Sequence, residues 1–514
     1  MWLCPLCLLA LSPAGLPAEA WTAPETAQAR QWTLRQLTEQ PEQPRALLDM
    51  ARLELELGRP SPAIALGHRL VELGGRTDAA LVLLAQAYHR KALVERASTA
   101  TPQSALELAL EDAAGFWKEL ASRHPDEASF LVREGACRLD AGEIERALDL
   151  ARKALEMAPQ AATAVLLMGQ CRLAQYVEER ARGVAPGALK EAFAEADRWL
   201  SRARFIDPQL AEAFVALGDL RAWAEEPEEA ALFWRDALLI DPGNEDVHSA
   251  LSETIMESER SAERLPSLLE GVVQAAAGRR LTRKQRAIPL MWLGRSLLEL
   301  RRFDEAVAAF NRAAIEWPLS GRRARLSIAI AYHGQNDYER ASQTLLGILA
   351  RRPGELAEAI AEEKHPEHLR ASLRFHVDRL VKANRLAEAR DLQRELVLLE
   401  ATSSSELNNL AYLCRETGRY QESYERYCQA LALAPQDARL LNDAAVILHH
   451  YLKRDLTEAR QLYEQAIAAA ERVLADPASN PAQREEARSA LQDAKSNLEQ
   501  LGKVKPAGTQ RKRQ

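Results

Sequence analysis

Apolar residues return every three or four positions along most of this chain, and the pattern itself repeats. Pro125 and Pro159 are 34 residues apart, as are Pro208 and Pro242, and Gly135 and Gly169. The clearest single unit runs from Ala287 to Ser320, AIPLMWLGRSLLELRRFDEAVAAFNRAAIEWPLS. Leu290, Leu293 and Leu297 make one apolar stripe at i, i+3 and i+7, which predicts a helix. Small Gly294, Ala306 and Ala313 predict two antiparallel helices whose backbones approach closely. Proline at Pro318 ends the second helix, as Pro208 and Pro242 do after Ile-Asp. A glycine such as Gly58, Gly142 or Gly418 can adopt the left-handed conformation that stops a first helix. One helix pair cannot bury both of its faces, so pairs must stack on one another. The fold class that follows is all-α.

The unit recurs from Ala211, with Phe214, Leu217, Gly218, Ala230, Trp234, Ala237 and Pro242. It recurs again from Ser404, with Leu407, Leu410, Ala411, Gly418, Tyr427, Ala430 and Pro435. A weaker copy carries Tyr332, Tyr338, Ala341 and Pro353. Near the start, Leu47, Met50, Ala51, Gly58 and Ala63 fit, while Glu54 stands where place eleven calls for an apolar residue.

These residues resemble the tetratricopeptide-repeat (TPR) family, whose pattern is large, large, small, aromatic, small, aromatic, small, proline. The resemblance implies a TPR α-solenoid, a right-handed superhelix of antiparallel helix pairs, with about ten partly degenerate repeats over residues 21–501. Insertions are expected near 91–104 and 176–189, degenerate units near 252–280 and 354–374, and a capping helix over 483–501. It also implies a concave groove lined by first helices, where places two, five, six, nine, twelve and thirteen meet a protein or peptide. Carried onto this chain, those places give Leu166, Leu167, Gln170 and Leu173, then Val215, Asp219 and Trp223, then Met291, Trp292, Arg295 and Glu299. Trp292 beside Met291 and Arg295 reads as a binding anchor, the residue types enriched in hot spots, or as packing against a neighbouring unit. One TPR subtype clamps C-terminal carboxylates with Lys at place five and Asn at place nine. Here Asn408 and Tyr412 hold those places in the unit from Ser404, so the clamp is not matched.

Composition narrows the alternatives. The chain has 514 residues, too many for one compact core, with 67 Lys+Arg against 74 Asp+Glu interspersed throughout. That balance lacks the one-sided basic footprint of a nucleic-acid binder. Only the tail, 502–514, is a basic run, and it reads as a solvated, disordered end. Residues 1–20 are apolar and finish in Ala18-Glu19-Ala20, the shape of a secretory signal, although no Lys or Arg follows Met1. The expected location is therefore periplasmic or secreted, and cytoplasmic if this segment is not a signal. No later segment is apolar enough to span a bilayer. Cys137, Cys171, Cys414 and Cys428 read as free thiols.

No constellation for catalysis stands out, and no cofactor is expected: G-x-x-x-x-G-K-[ST], G-x-S-x-G and H-E-x-x-H do not occur. The best metal candidates are His365 and His368, with His376 two turns on. Pro366 fits a first-turn proline with His365 as its cap, so surface histidines are the plainer reading. His449 and His450, adjacent on a helix, should point in different directions. The function expected is a non-enzymatic protein- or peptide-binding scaffold in a cell-envelope assembly. The alternatives are a purely structural spacer and a metal-dependent enzyme using His365 and His368.

Overall fold

The computed structural model describes residues 23–40, 42–96, 102–257, 262–318, 321–349, 360, 366–400 and 402–503. The first twenty residues, most of the basic tail and His365 lie outside them. The chain divides into two units, Met1–Gly321 and Arg322–Gln514.

In the first unit α1 (Ala23–Glu39) precedes seven helix pairs. These are α2 (Pro44–Glu56) with α3 (Pro60–Gly74), α4 (Asp78–Arg96) with α5 (Gln103–Arg123), and α6 (Ala128–Asp140) with α7 (Ile144–Met157). Then come α8 (Ala162–Ala181) with α9 (Pro186–Ile206), α10 (Ala211–Trp223) with α11 (Pro227–Ile240), α12 (Glu245–Met256) with α13 (Leu265–Ala277), and α14 (Arg283–Glu299) with α15 (Phe303–Glu316). The second unit holds α16 (Gly321–Gly334), α17 (Tyr338–Leu349), α18 (Pro366–Lys382), α19 (Leu386–Leu399), α20 (Ser404–Glu416) and α21 (Tyr420–Leu433). It ends with α22 (Ala438–Val446), which continues as a π-helical turn over Ile447–Leu452, then α23 (Leu456–Ala475) and α24 (Pro481–Lys503). All the regular structure among the described residues is helical, as an α-solenoid requires.

First helices end in one recurring way. Place fifteen of seven units has positive φ: Gly58, Gly142, Glu225, Arg301, Asn336, Asn384 and Gly418, all between 57° and 79°. The next residue then donates its N–H to the carbonyl five positions back. Examples are Arg59 to Glu54 at 2.8 Å, Glu226 to Arg221 at 2.9 Å and Arg385 to Leu380 at 2.8 Å. That is the six-to-one bond of a Schellman motif, which satisfies a carbonyl the helix end would otherwise orphan. Four of these positions are not glycine, so the conformation is imposed by the repeat and not by residue type.

Close approach explains the small residues at place eight. A Cβ on Gly294 would lie 2.6 Å from Phe310, the place-twenty-four aromatic of its own pair. A Cβ on Gly135 would lie 2.6 Å from Leu167, which belongs to the following pair. Glu54, the exception at place eleven, is buried and accepts from Arg30 Nε at 2.8 Å. The arginine comes from α1, so the N-terminal helix supplies the charge that this departure needs.

The irregular stretches are also helical. The insertion at 176–189 lengthens α8 and α9 and is not a bulging loop. The insertion at 91–104 extends α4 to Arg96 and opens α5, with 97–101 outside the described residues. Residues 265–277 form α13, and α18 occupies 366–382. The rest of the 354–374 stretch lies almost wholly outside the described residues.

Candidate partner-binding face

First helices pack on first helices in the first unit: α2 on α4, α6 on α8, α8 on α10, and α12 on α14. They form a layer, and the candidate groove residues sit in it to very different depths. Leu166, Leu167 and Val215 are 0%, 1% and 3% exposed, and Gln170, Leu173 and Met291 are also buried. The structure corrects the sequence-based assignment of these six. Leu166 packs with Leu200, Leu217 and Leu220, while Leu167 fills the space over Gly135. Buried in this way, these places support the layer from within.

Five candidates remain at least partly accessible. Asp219, half-buried on α10, accepts a hydrogen bond from Trp234 Nε1 at 3.0 Å. Burial pushes its carboxyl up to about 7, against the pull of that bond. Trp223, also half-buried, packs against the cluster around Leu217. Trp292 has two close neighbours. His248 of the preceding first helix stacks parallel to it, with centroids 5.9 Å apart and planes within 6°, and the half-buried Arg295 holds its guanidinium 5.1 Å from the indole centroid. The packing reading of Trp292 therefore holds in part, since one neighbouring unit does support the ring, which stays half-buried. Glu299 is exposed at the end of α14.

Two features of this face lay beyond the sequence reading. His248 is fully buried, its Nε2 lies 3.1 Å from the Pro242 carbonyl, and burial lowers it to about 4. It stays neutral at ordinary pH. Its place, fourth in a unit beginning at Glu245, is one where the pattern puts a large residue, and that was the available signal. The second is His89 Nε2, 2.6 Å from Asp140 Oδ2, with Arg96 Nη1 3.6 Å from the same carboxylate. Burial opposes a charge on His89, but the Cys137 sulfur and Asp140 outweigh it and hold the ring up to about 10. These partners are 51 residues apart and meet across successive pairs.

In the second unit, His368 stacks on His333 with centroids 4.8 Å apart, whereas His376 Nδ1 lies 3.2 Å from Ser342 Oγ. His368 and His376 thus face different partners. Among the described residues no group of three or more His, Cys, Asp or Glu could hold a metal. His449 and His450 correct another expectation: their ring centroids are 3.9 Å apart. The π-helical turn that carries them changes the angular step between adjacent residues, bringing the rings together. Cys137, Cys171 and Cys414 are buried thiols and Cys428 is an exposed one.

The stacked pairs, the Schellman ends and the layer of first helices define an α-helical repeat protein of the helix-turn-helix type. Two tetratricopeptide-repeat family models match the chain, one at residues 110–162 and 293–355 and the other at 407–437, so these stretches carry tetratricopeptide repeats. A solved structure of a thermophilic TPR protein from Thermus thermophilus matches 48% of this chain and 98% of that one, at 16% identity and a TM-score of 0.28. No curated protein matches the chain. Repeats of this family generally mediate protein–protein interaction. No helix among the described residues is long and apolar enough to cross a membrane.

Proposed function

We propose that this chain is a non-catalytic scaffold that holds a protein or peptide against its layer of first helices, in a cell-envelope assembly or outside the cell. One observation carries the reading: Trp292 is braced by His248 and Arg295 yet keeps part of its ring uncovered. A ring already in contact with two neighbours loses little freedom on binding, which is what an aromatic anchor needs. Asp219 and Trp223, on another first helix of the same unit, add a carboxyl and a second indole to that layer. Export is supported by the apolar opening of the chain and Ala18-Glu19-Ala20.

The test compares what co-purifies from the native host with the wild-type chain and with Trp292→Ala, using mass spectrometry. A scaffold loses the same polypeptides in the variant while its helicity is unchanged; a spacer shows no difference between the two. N-terminal sequencing of the mature chain decides export: Trp21 as first residue supports it, and an intact Met1 rejects it.

A further inference from the structure

Helix α18 meets the two helices before it through histidines. His333 on α16 and His368 on α18 lie face to face, with ring centroids 4.8 Å apart and planes within 16°. Tyr338, at the start of α17, approaches the His333 ring edge-on, at 5.1 Å between centroids. Further along α18, His376 Nδ1 lies 3.2 Å from Ser342 Oγ of α17.

Hydrogen bonds fix the state of two of these rings. Ser372 and Ser342 are fully buried, and each spends its one hydroxyl hydrogen on a helix carbonyl. Ser372 donates to His368 O at 3.1 Å and Ser342 to Glu339 O at 2.8 Å. Each serine oxygen is therefore an acceptor, from His333 Nδ1 at 3.0 Å and from His376 Nδ1 at 3.2 Å. Both rings carry their hydrogen on Nδ1, so an acid proton adds at Nε2. The surroundings resist it. Burial, helped by His368, lowers the pKa of His333, while Glu367 pulls the other way. Glu367 Oε1 is 3.9 Å from His368 Nε2, so one carboxylate serves two stacked rings. Burial also lowers His376, joined by Arg379 of its own helix and Arg385 of the following turn. The acids acting on it, Glu339 on α17 and Glu388 on α19, already pair with those arginines at 2.7 and 2.6 Å.

We propose that α18 is an acid-responsive joint, held to α16 and α17 while its histidine contacts are neutral and loosened from both when they become cationic. Two neutral imidazoles attract face to face, whereas two imidazolium rings at the same spacing set like charges against each other. Because both folded pKa values lie below the unfolded 6.5, the direction is fixed. The contribution of each ring is complete above about pH 6.5 and is lost as pH falls through its folded value. Imidazole is the side chain whose charge ordinarily changes in mild acid, where an ordinary carboxylate keeps its own.

Hydrogen exchange of the full chain tests the joint, read by mass spectrometry at about pH 7.5 and about pH 5 and corrected for the intrinsic pH dependence of exchange. Peptides from α16, α17 and α18 should lose protection about tenfold at the lower pH, while those from α20 and α21 keep theirs. In a double variant, His333→Asn with His376→Asn, each amide still donates to its serine but takes no proton. Its loss in the three helices should fall below about twofold. Equal wild-type protection at the two pH values, a loss spread evenly over α20 to α24, or the same loss in the double variant would each overturn the proposal. If the double variant is not helical at about pH 7.5, His333→Asn alone decides. The acid loss in α16 should then vanish while that in α17 persists, and an unchanged α16 loss rejects the joint.

Discussion

A Cβ on Gly218 would lie 2.5 Å from both Cδ1 and Nε1 of Trp234. The indole cannot retreat easily, because the same Nε1 is tied to Asp219 at 3.0 Å. Helix propensity alone would favour alanine here by about 1 kcal/mol, but overpacking costs about 1–3 kcal/mol when the neighbour is fixed. Gly218→Ala should therefore lower stability in a denaturant titration, and Gly218→Leu should lower it more. Gly115, exposed within α5 with nothing near its missing Cβ, gives the contrast: Gly115→Ala should raise stability by about 0.5–1 kcal/mol.

Asp219 titrates near neutrality in the fold, at about 7 against an ordinary 3.8, because burial penalises its charge. A raised folded pKa means that its contribution is intact below about pH 4 and is lost as pH rises through about 7. Asp219→Asn keeps an acceptor for Trp234 without the charge. Melting curves from pH 4 to 8 should coincide for the two proteins at the acid end. At pH 8 the variant should be more stable by roughly 1–3 kcal/mol.

Arg301 and Glu225 occupy the left-handed position that Gly58, Gly142 and Gly418 fill elsewhere, with φ of 58° and 63°. An L side chain there costs roughly 1–2 kcal/mol, partly offset by the greater freedom of glycine in the unfolded chain. Arg301→Gly should stabilise the protein by about 0.5–1 kcal/mol in urea unfolding, and a loss of stability would show that the arginine makes contacts worth more than the strain.

Arg30 and Glu54 join α1 to α2. Arg30→Ala leaves a buried carboxylate with only Arg59 Nη1, 3.8 Å away. A cost of about 1–3 kcal/mol is expected, together with faster hydrogen exchange across α1. Adding Glu54→Leu, which restores the apolar residue that place eleven calls for, should recover most of the loss.

What could be read from the sequence was what one helix pair decides alone. Gly218 against Trp234, Gly294 against Phe310 and the turns at Gly58 and Gly142 lie within a pair, so spacing along the chain predicts them. What a residue meets across pairs is less legible. Leu166 and Leu167 were assigned to a surface by place, but α9 and the pairs on either side enclose them. Asp140 with His89 and Trp292 with His248 are partnerships between neighbouring units that no local periodicity contains. Glu54 looked like a flaw because its arginine arrives from a helix outside the repeat. His449 and His450 were misjudged because the expectation assumed an α-helical step where the π-helical backbone rotates less from one residue to the next.

Leu167 over Gly135 makes each of these pairs the lodging for a side chain of the next. A backbone cut in the connection between α7 and α8 would leave one fragment with a notch and the other with the leucine shaped to fill it. The two pieces, expressed separately, carry matching ends from the outset, so mixing them should rebuild the severed seam without a linker.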